Sequence, residues 1–187
     1  GRQTVDMVFL LKDKNTQKLY VLLGKRPQDS VDFANIKAIP GSAIERFEEP
    51  EDACVRMFKE ETGLKVELLE RHFVSTPVKL KNLKTSFLFM NLVGIYSSEE
   101  PNKMGTRGGS SQCFSIYVEG DVDIYRSILS PTRGLEEVDF YEVDNIIDTP
   151  LAFQHNEMVE RAVYMAKGKI KFEKDSYHGN KNSKCIY

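Results

Sequence analysis

Residues 50–64 read as one helix with both ends marked, and this element constrains the rest of the fold. Pro50 suits a first helical turn, and Glu51 and Asp52 sit favourably at the positive end of the helix dipole. Ala53, Cys54, Met57, Phe58 and Glu61 recur at helical spacing until Thr62 and Gly63 stop the run, with Gly63 a natural C-cap. Glu60 and Glu61 follow Met57 by three and four residues, so positions 57, 60 and 61 are expected on one face. Two carboxylates there, beside a Gly-containing loop at Pro40-Gly41-Ser42 that lends backbone carbonyls, suit a hard divalent cation held through oxygen. Magnesium or manganese in such a site polarises a diphosphate bridge and activates a water.

Strand patterns surround this helix. Residues 4–12 and 18–26 are apolar runs joined by turn chemistry at 13–17, which predicts a hairpin. A short apolar step at Ala38-Ile39 follows, and residues 43–49 read as loop. Further strands are expected at 66–69, 73–77, 85–96, 113–119 and 138–143, with a short helical excursion at 125–133. Residues 97–111 are polar and Gly-rich and read as an exposed loop. Residues 150–167 form an amphipathic helix pattern, and the tail from 172 to 187 is polar. Strands grouped around two separated helices predict an α+β fold in one domain, with its core at 4–168.

Composition narrows the classes of function. A chain of 187 residues is long enough to bury a substantial core. The formal net charge of −2 argues against nucleic-acid binding driven by bulk charge. Three cysteines, Cys54, Cys113 and Cys185, have no CxxC spacing, which disfavours a disulfide framework or a zinc knuckle and fits a reducing, cytoplasmic setting. No apolar run approaches the ~18 residues of a membrane span, and the first residues carry no signal-peptide pattern, so no membrane partner is expected.

The stretch PGSAIERFEEPEDACVRMFKEETGL resembles the Nudix box, G-x5-E-x7-R-E-U-x-E-E-x-G-U with U a bulky aliphatic residue. Glu48 falls on the first Glu, Arg56 on the Arg, Phe58 on the first U, Glu60-Glu61 on the paired Glu, and Gly63-Leu64 on the close. The LLGKR and IPG phrases before the box and EEVDFYEVDNI near the end also look like the family. The resemblance implies a Nudix fold, a mixed β-sheet sandwiched between helices as α/β/α. It further implies a metal site drawing on Gly41, Glu45, Glu60 and Glu61, with Mg²⁺ or Mn²⁺ as cofactor. Glu48, Arg56 and Gly63 would be structural, Glu48 and Arg56 pairing to fix loop against helix.

Two positions depart from the pattern. The motif's first Gly is Ser42, with Gly41 beside it able to serve the same turn. The Glu that follows the Arg is Met57, whose thioether neither holds Mg²⁺ nor accepts a proton at neutral pH. Met57 therefore points to reduced or relocated catalysis. Glu136 and Glu137 precede the last strand, in the region from which related hydrolases recruit a base, and Glu137 joins Glu60 and Glu61 as a catalytic candidate.

Lys25-Arg26 ends the second strand, and Arg26 is a candidate for a substrate phosphate. Lys79, Lys81 and Lys84 lie in a basic connection that in ADP-ribose-type relatives helps form the substrate site, and Lys79 and Lys81 are assigned there by resemblance. Arg107 could close over a ligand; Phe33 and Phe47 could stack on a base or pack; Cys54 and His155 read as packing residues, His155 alternatively as a surface one. The leading reading is a metal-dependent hydrolase of a nucleoside diphosphate linked to another group, ADP-ribose-like or a sugar nucleotide. The alternative from Met57 is a Nudix domain that binds a nucleotide as a sensor or partner subunit. A third, an RNA 5′-end processing factor, rests on the lysines at 79–84 and the loop at 97–111. The family resemblance is also compatible with a homodimer.

Overall fold

The computed structural model describes residues 2–66, 90–105, 108–146 and 148–168, and the backbone of 171–172 and 185–186. The strand expected at 73–77, all but the first residue of that expected at 66–69, the first five residues of that expected at 85–96, the lysines at 79, 81 and 84, and Arg107 lie outside the described residues.

In chain order the elements are β1 (Arg2–Asp13), β2 (Leu19–Lys25), β3 (Lys37–Ala38), β4 (Gly41–Ala43) and α1 (Pro50–Thr62). Then come β5 (Asn91–Ser98), α2 (Pro101–Met104), β6 (Gly109–Gly120), α3 (Val122–Ser127) and β7 (Glu136–Glu142). The chain continues through α4 (Val143–Ile146), α5 (His155–Ala166) and a small ribbon of β8 (Lys171–Phe172) and β9 (Cys185–Ile186). Among the described residues the first seven strands make one mixed sheet, in which β3, β2, β1, β6 and β5 lie side by side. β4 pairs with β1, and β7 with β2. The central pair β1 and β6 is parallel along its full length, from Arg2 opposite Gly109 to Asp13 opposite Gly120.

Alternation along β1 assigns the two faces of the sheet. Val5, Met7, Phe9 and Leu11 join Cys54, Met57 and Phe58 of α1 in one core cluster, where Phe9 and Phe58 stack at 5.4 Å. Val8 and Leu10 point the other way into a second cluster with Met158, Val159, Ala162 and Val163 of α5. The result is the α/β/α sandwich expected from the sequence. Among the described residues no helix is long and apolar enough to cross a membrane.

Several local expectations change. The segment read as an exposed loop holds α2 and the first residues of β6, and Ser111 within it is buried because β6 must extend to match β1. The helical excursion is α3, three residues earlier than predicted, where the Asp121 carboxylate accepts from the Asp123 and Ile124 N–H groups as N-cap. The last long helix begins at His155, because residues 150–154 are spent on a turn that includes Phe153 at φ 51°.

Candidate functional site

The entry to α1 is built by an ion pair. Glu48 grips Arg56 through a forked contact, Nε to Oε1 at 2.7 Å and Nη2 to Oε2 at 2.8 Å. Arg56 Nη2 also donates to the Ala43 carbonyl at 3.2 Å, so the 43–48 loop is fastened to the helix. The Arg56 hydrogen bond holds the Glu48 carboxyl below its usual range, and Glu48 in turn raises Arg56. Gly63 caps the far end at φ 81°, where the backbone of Ser130 leaves no space for a Cβ.

Beyond Arg56 the rows of the helix part. Arg56 and Glu60 share one row and meet at 3.4 Å, and Arg133 approaches Glu60 from the other side at 3.5 Å. Met57 and Glu61 share the next row, where Met57 is fully buried in the core. Glu61 reaches a cavity of about 580 Å³. Glu60 instead borders a separate hollow of about 510 Å³ beside Lys59, Ser130 and Thr132. This corrects the expectation that positions 57, 60 and 61 share a face: neighbours in a helix are about 100° apart, enough to send Glu60 and Glu61 into different spaces.

Glu61 is held tightly. Its Oε1 accepts the Gly41 N–H at 2.9 Å, and its Oε2 lies against Gly134, which stands at φ 88° with no space for a Cβ. Burial pushes the Glu61 carboxyl up to about 8; the Gly41 N–H opposes this, Asp6 adds to it, and Arg133 and Arg26 oppose it. Gly41 lies in β4 rather than in the expected turn. It is a glycine because the Asp6 carboxylate occupies the place its Cβ would take.

Asp6 and His155 form the cavity floor. Asp6 is 6% exposed, receives the Ser111 hydroxyl on one oxygen, and faces His155 Nε2 with the other at 3.3 Å. His155 Nδ1 accepts the Ile39 N–H at 3.1 Å. His155, read from sequence as a packing or surface residue, is thus buried and fully engaged through both ring nitrogens. Asp6 was missed, although a lone carboxylate within the apolar run 4–12 is a signal for it.

Four arginines, Arg2, Arg26, Arg56 and Arg133, line this cavity. Arg26 is half-buried, donates to the Asp32 carbonyl at 3.0 Å and lies 4.8 Å over the Phe153 ring. Burial lowers its pKa, against the pull of Asp32, Glu61 and Asp6. Phe153 packs on Phe33 at 4.6 Å. Among the other sequence candidates, Glu45 lines the cavity, is largely exposed and lies 3.8 Å from Arg56. Glu137 is exposed, stands 3.9 Å from Lys25 and is not part of the cavity wall, so the structure does not bring it to Glu61. Phe47 is 92% exposed beneath Arg46, and Cys54 is buried, with burial raising its thiol. Among the described residues no group of three or more His, Cys, Asp or Glu side chains is arranged to hold a metal ion.

Residues 1–162 match the NUDIX domain family model, and the chain belongs to the Nudix family. Solved structures agree on the fold. The NUDIX domain of Shewanella oneidensis NrtR complexed with ADP ribose is similar at TM-score 0.63 and 19% identity, over 88% of each chain. A MutT/nudix family protein from Enterococcus faecalis is similar at TM-score 0.64 and 21% identity, over 90% of this chain and 62% of that one. This chain thus spans less than two thirds of the Enterococcus protein. A bifunctional NMN adenylyltransferase/ADP ribose pyrophosphatase from Francisella tularensis, complexed with AMP and a Mn ion, is similar at TM-score 0.57 and 16% identity, over 89% of this chain and 42% of that one. No curated protein matches the sequence.

Proposed function

We propose that this Nudix domain binds a nucleoside diphosphate of the ADP-ribose class in the arginine-lined cavity and does not cleave it. The observation that carries this reading is the divergence of the box side chains. Of the three helix positions, Met57 points into the core, Glu60 is drawn off between Arg56 and Arg133, and only Glu61 enters the cavity, where Glu45 of the preceding loop joins it at the wall.

Magnesium and manganese favour oxygen ligands in near-octahedral order, and carboxylates supply their charge. Here one Glu61 oxygen accepts the Gly41 N–H, both Asp6 oxygens are partnered by Ser111 and His155, and the remaining carboxylate of the box stretch, Glu45, lies beside Arg56. This donor set does not fit the box metal. It fits an anion better: guanidinium groups pair with phosphate oxygens two at a time, and Arg2 and Arg26 line the cavity together with Arg56 and Arg133, which are held by Glu48 and Glu60. The Shewanella domain bound to ADP ribose supports the ligand class, as do the AMP and the pyrophosphatase activity named for the Francisella protein.

The test is calorimetry with ADP-ribose, run beside a turnover assay for release of AMP with Mg²⁺ and with Mn²⁺. Micromolar binding without release is the expected result. Release of AMP that Glu61→Gln abolishes would overturn the binding-only reading in favour of a hydrolase.

A further inference from the structure

His155 is buried at the first turn of α5, 4% exposed, in the floor of the ligand cavity. Because Nδ1 accepts the Ile39 N–H, the ring proton resides on Nε2, which then faces Asp6 Oδ1. Asp6 completes the chain by accepting from Ser111. One polar thread therefore links the end of β3, the helix α5, β1 and β6.

The thread passes next to the ligand cavity. Ile39 leads into Pro40 and Gly41; the Pro40 carbonyl accepts the Met7 N–H at 2.9 Å, and the Gly41 N–H is the donor to Glu61. A parallel bond from the Ala152 N–H to the Lys37 carbonyl, 2.9 Å, anchors the same segment two residues earlier. The path from Ile39 to Gly41 is thus held from α5 on one side and from β1 on the other. His155 supplies the acceptor without which the buried Ile39 N–H has none.

We infer that His155 is a positioning residue: through Nδ1 it fixes the Ile39–Pro40–Gly41 step and so presents Gly41 and Glu61 to the ligand, without touching the ligand's phosphates itself. The inference rests on the proposed ADP-ribose site. The two ring nitrogens have different tasks, and two substitutions separate them. His155→Asn places an amide oxygen near the position of Nδ1 and gives up the contact to Asp6. His155→Gln reaches Asp6 and leaves the Ile39 N–H without an acceptor.

Both variants are measured by ADP-ribose calorimetry below their melting temperatures, and by amide hydrogen exchange at Ile39 and Gly41 without ligand. For His155→Gln the expected outcome is about tenfold or weaker ADP-ribose binding and about tenfold or faster exchange at both amides. His155→Asn is expected to recover most of each loss. Equal damage from both variants, or wild-type exchange at Gly41 in His155→Gln, would overturn the positioning role and leave His155 a packing residue. If wild-type protein binds no ADP-ribose, the functional proposal fails, while the exchange arm still decides whether His155 holds Gly41.

Discussion

Gly134 lies against the Glu61 carboxylate so closely that the Cβ of any other residue would overlap Glu61 Oε2. Its backbone, at φ 88°, also belongs to the left-handed region that side chains disfavour. Gly134→Ala therefore meets two penalties, backbone strain and eviction of Glu61. The expected loss of stability is about 2 kcal/mol, read from the denaturant midpoint. A change under a few tenths would show that the 130–134 loop yields easily.

Glu61 gives the protein a pH dependence of definite sign. Its folded value is raised from 4.5 to about 8, so between those limits the native state keeps a proton that the unfolded chain has released. Stability contributed by this group accordingly falls as pH rises through that window and levels off above it. Glu61→Gln removes the effect. In metal-free buffer, melting temperatures of wild type should decline relative to the variant up to about pH 8, and parallel profiles would contradict the burial of an acid there.

The Glu48–Arg56 pair acts at the other end of the scale. Glu48 is depressed in the fold, so its contribution is complete above its unfolded value and disappears as pH falls through the folded one. Glu48→Gln should flatten the acid limb of the stability curve. Arg56→Ala, which strands Glu48 and frees the 43–48 loop, should cost about 2 kcal/mol in a chemical denaturation series.

Restoring the missing box carboxylate at position 57 should not restore a metal site. The side chain there emerges among Val5, Met7 and Phe9 and is fully buried. Met57→Glu is expected to cost about 3 kcal/mol or more, with no gain in ADP-ribose turnover with Mn²⁺. Turnover in this variant would mean that α1 can rotate its rows, and would reverse the argument from Met57.

Local chemistry made much of this fold legible. Pro50 at the start, acids in the first turn and Gly63 at the close delimit α1 without any tertiary knowledge, and the apolar run at 4–12 marks β1 as a strand. The same spacing argument failed one step further, at Glu60 and Glu61. Periodicity places a residue on a face only to within about a quarter turn, and the division between the two hollows falls inside that margin. The floor of the cavity was out of reach for a different reason. Asp6 meets Ser111 across 105 residues of sequence, and its approach to His155 depends on where α5 begins after the Phe153 turn. Gly41 illustrates the same limit: read as a turn former, it is a glycine because a carboxylate from β1 needs its space.

The long parallel pairing of β1 with β6 bears on how the protein is made. No local hairpin can nucleate that pair, so the sheet cannot close until residue 120 has been synthesised, and Asp6 lacks its second partner until His155 follows. At cellular elongation rates this interval is on the order of ten seconds. Until β6 arrives, β1 has only β2, β4 and α1 as neighbours, and the edge that β6 will fill stays open, with the Asp6 charge in its middle opposing edge pairing with copies of itself. Asp6 thus meets Ser111 and His155, the two partners that hold it in the fold, only after most of the chain has been made.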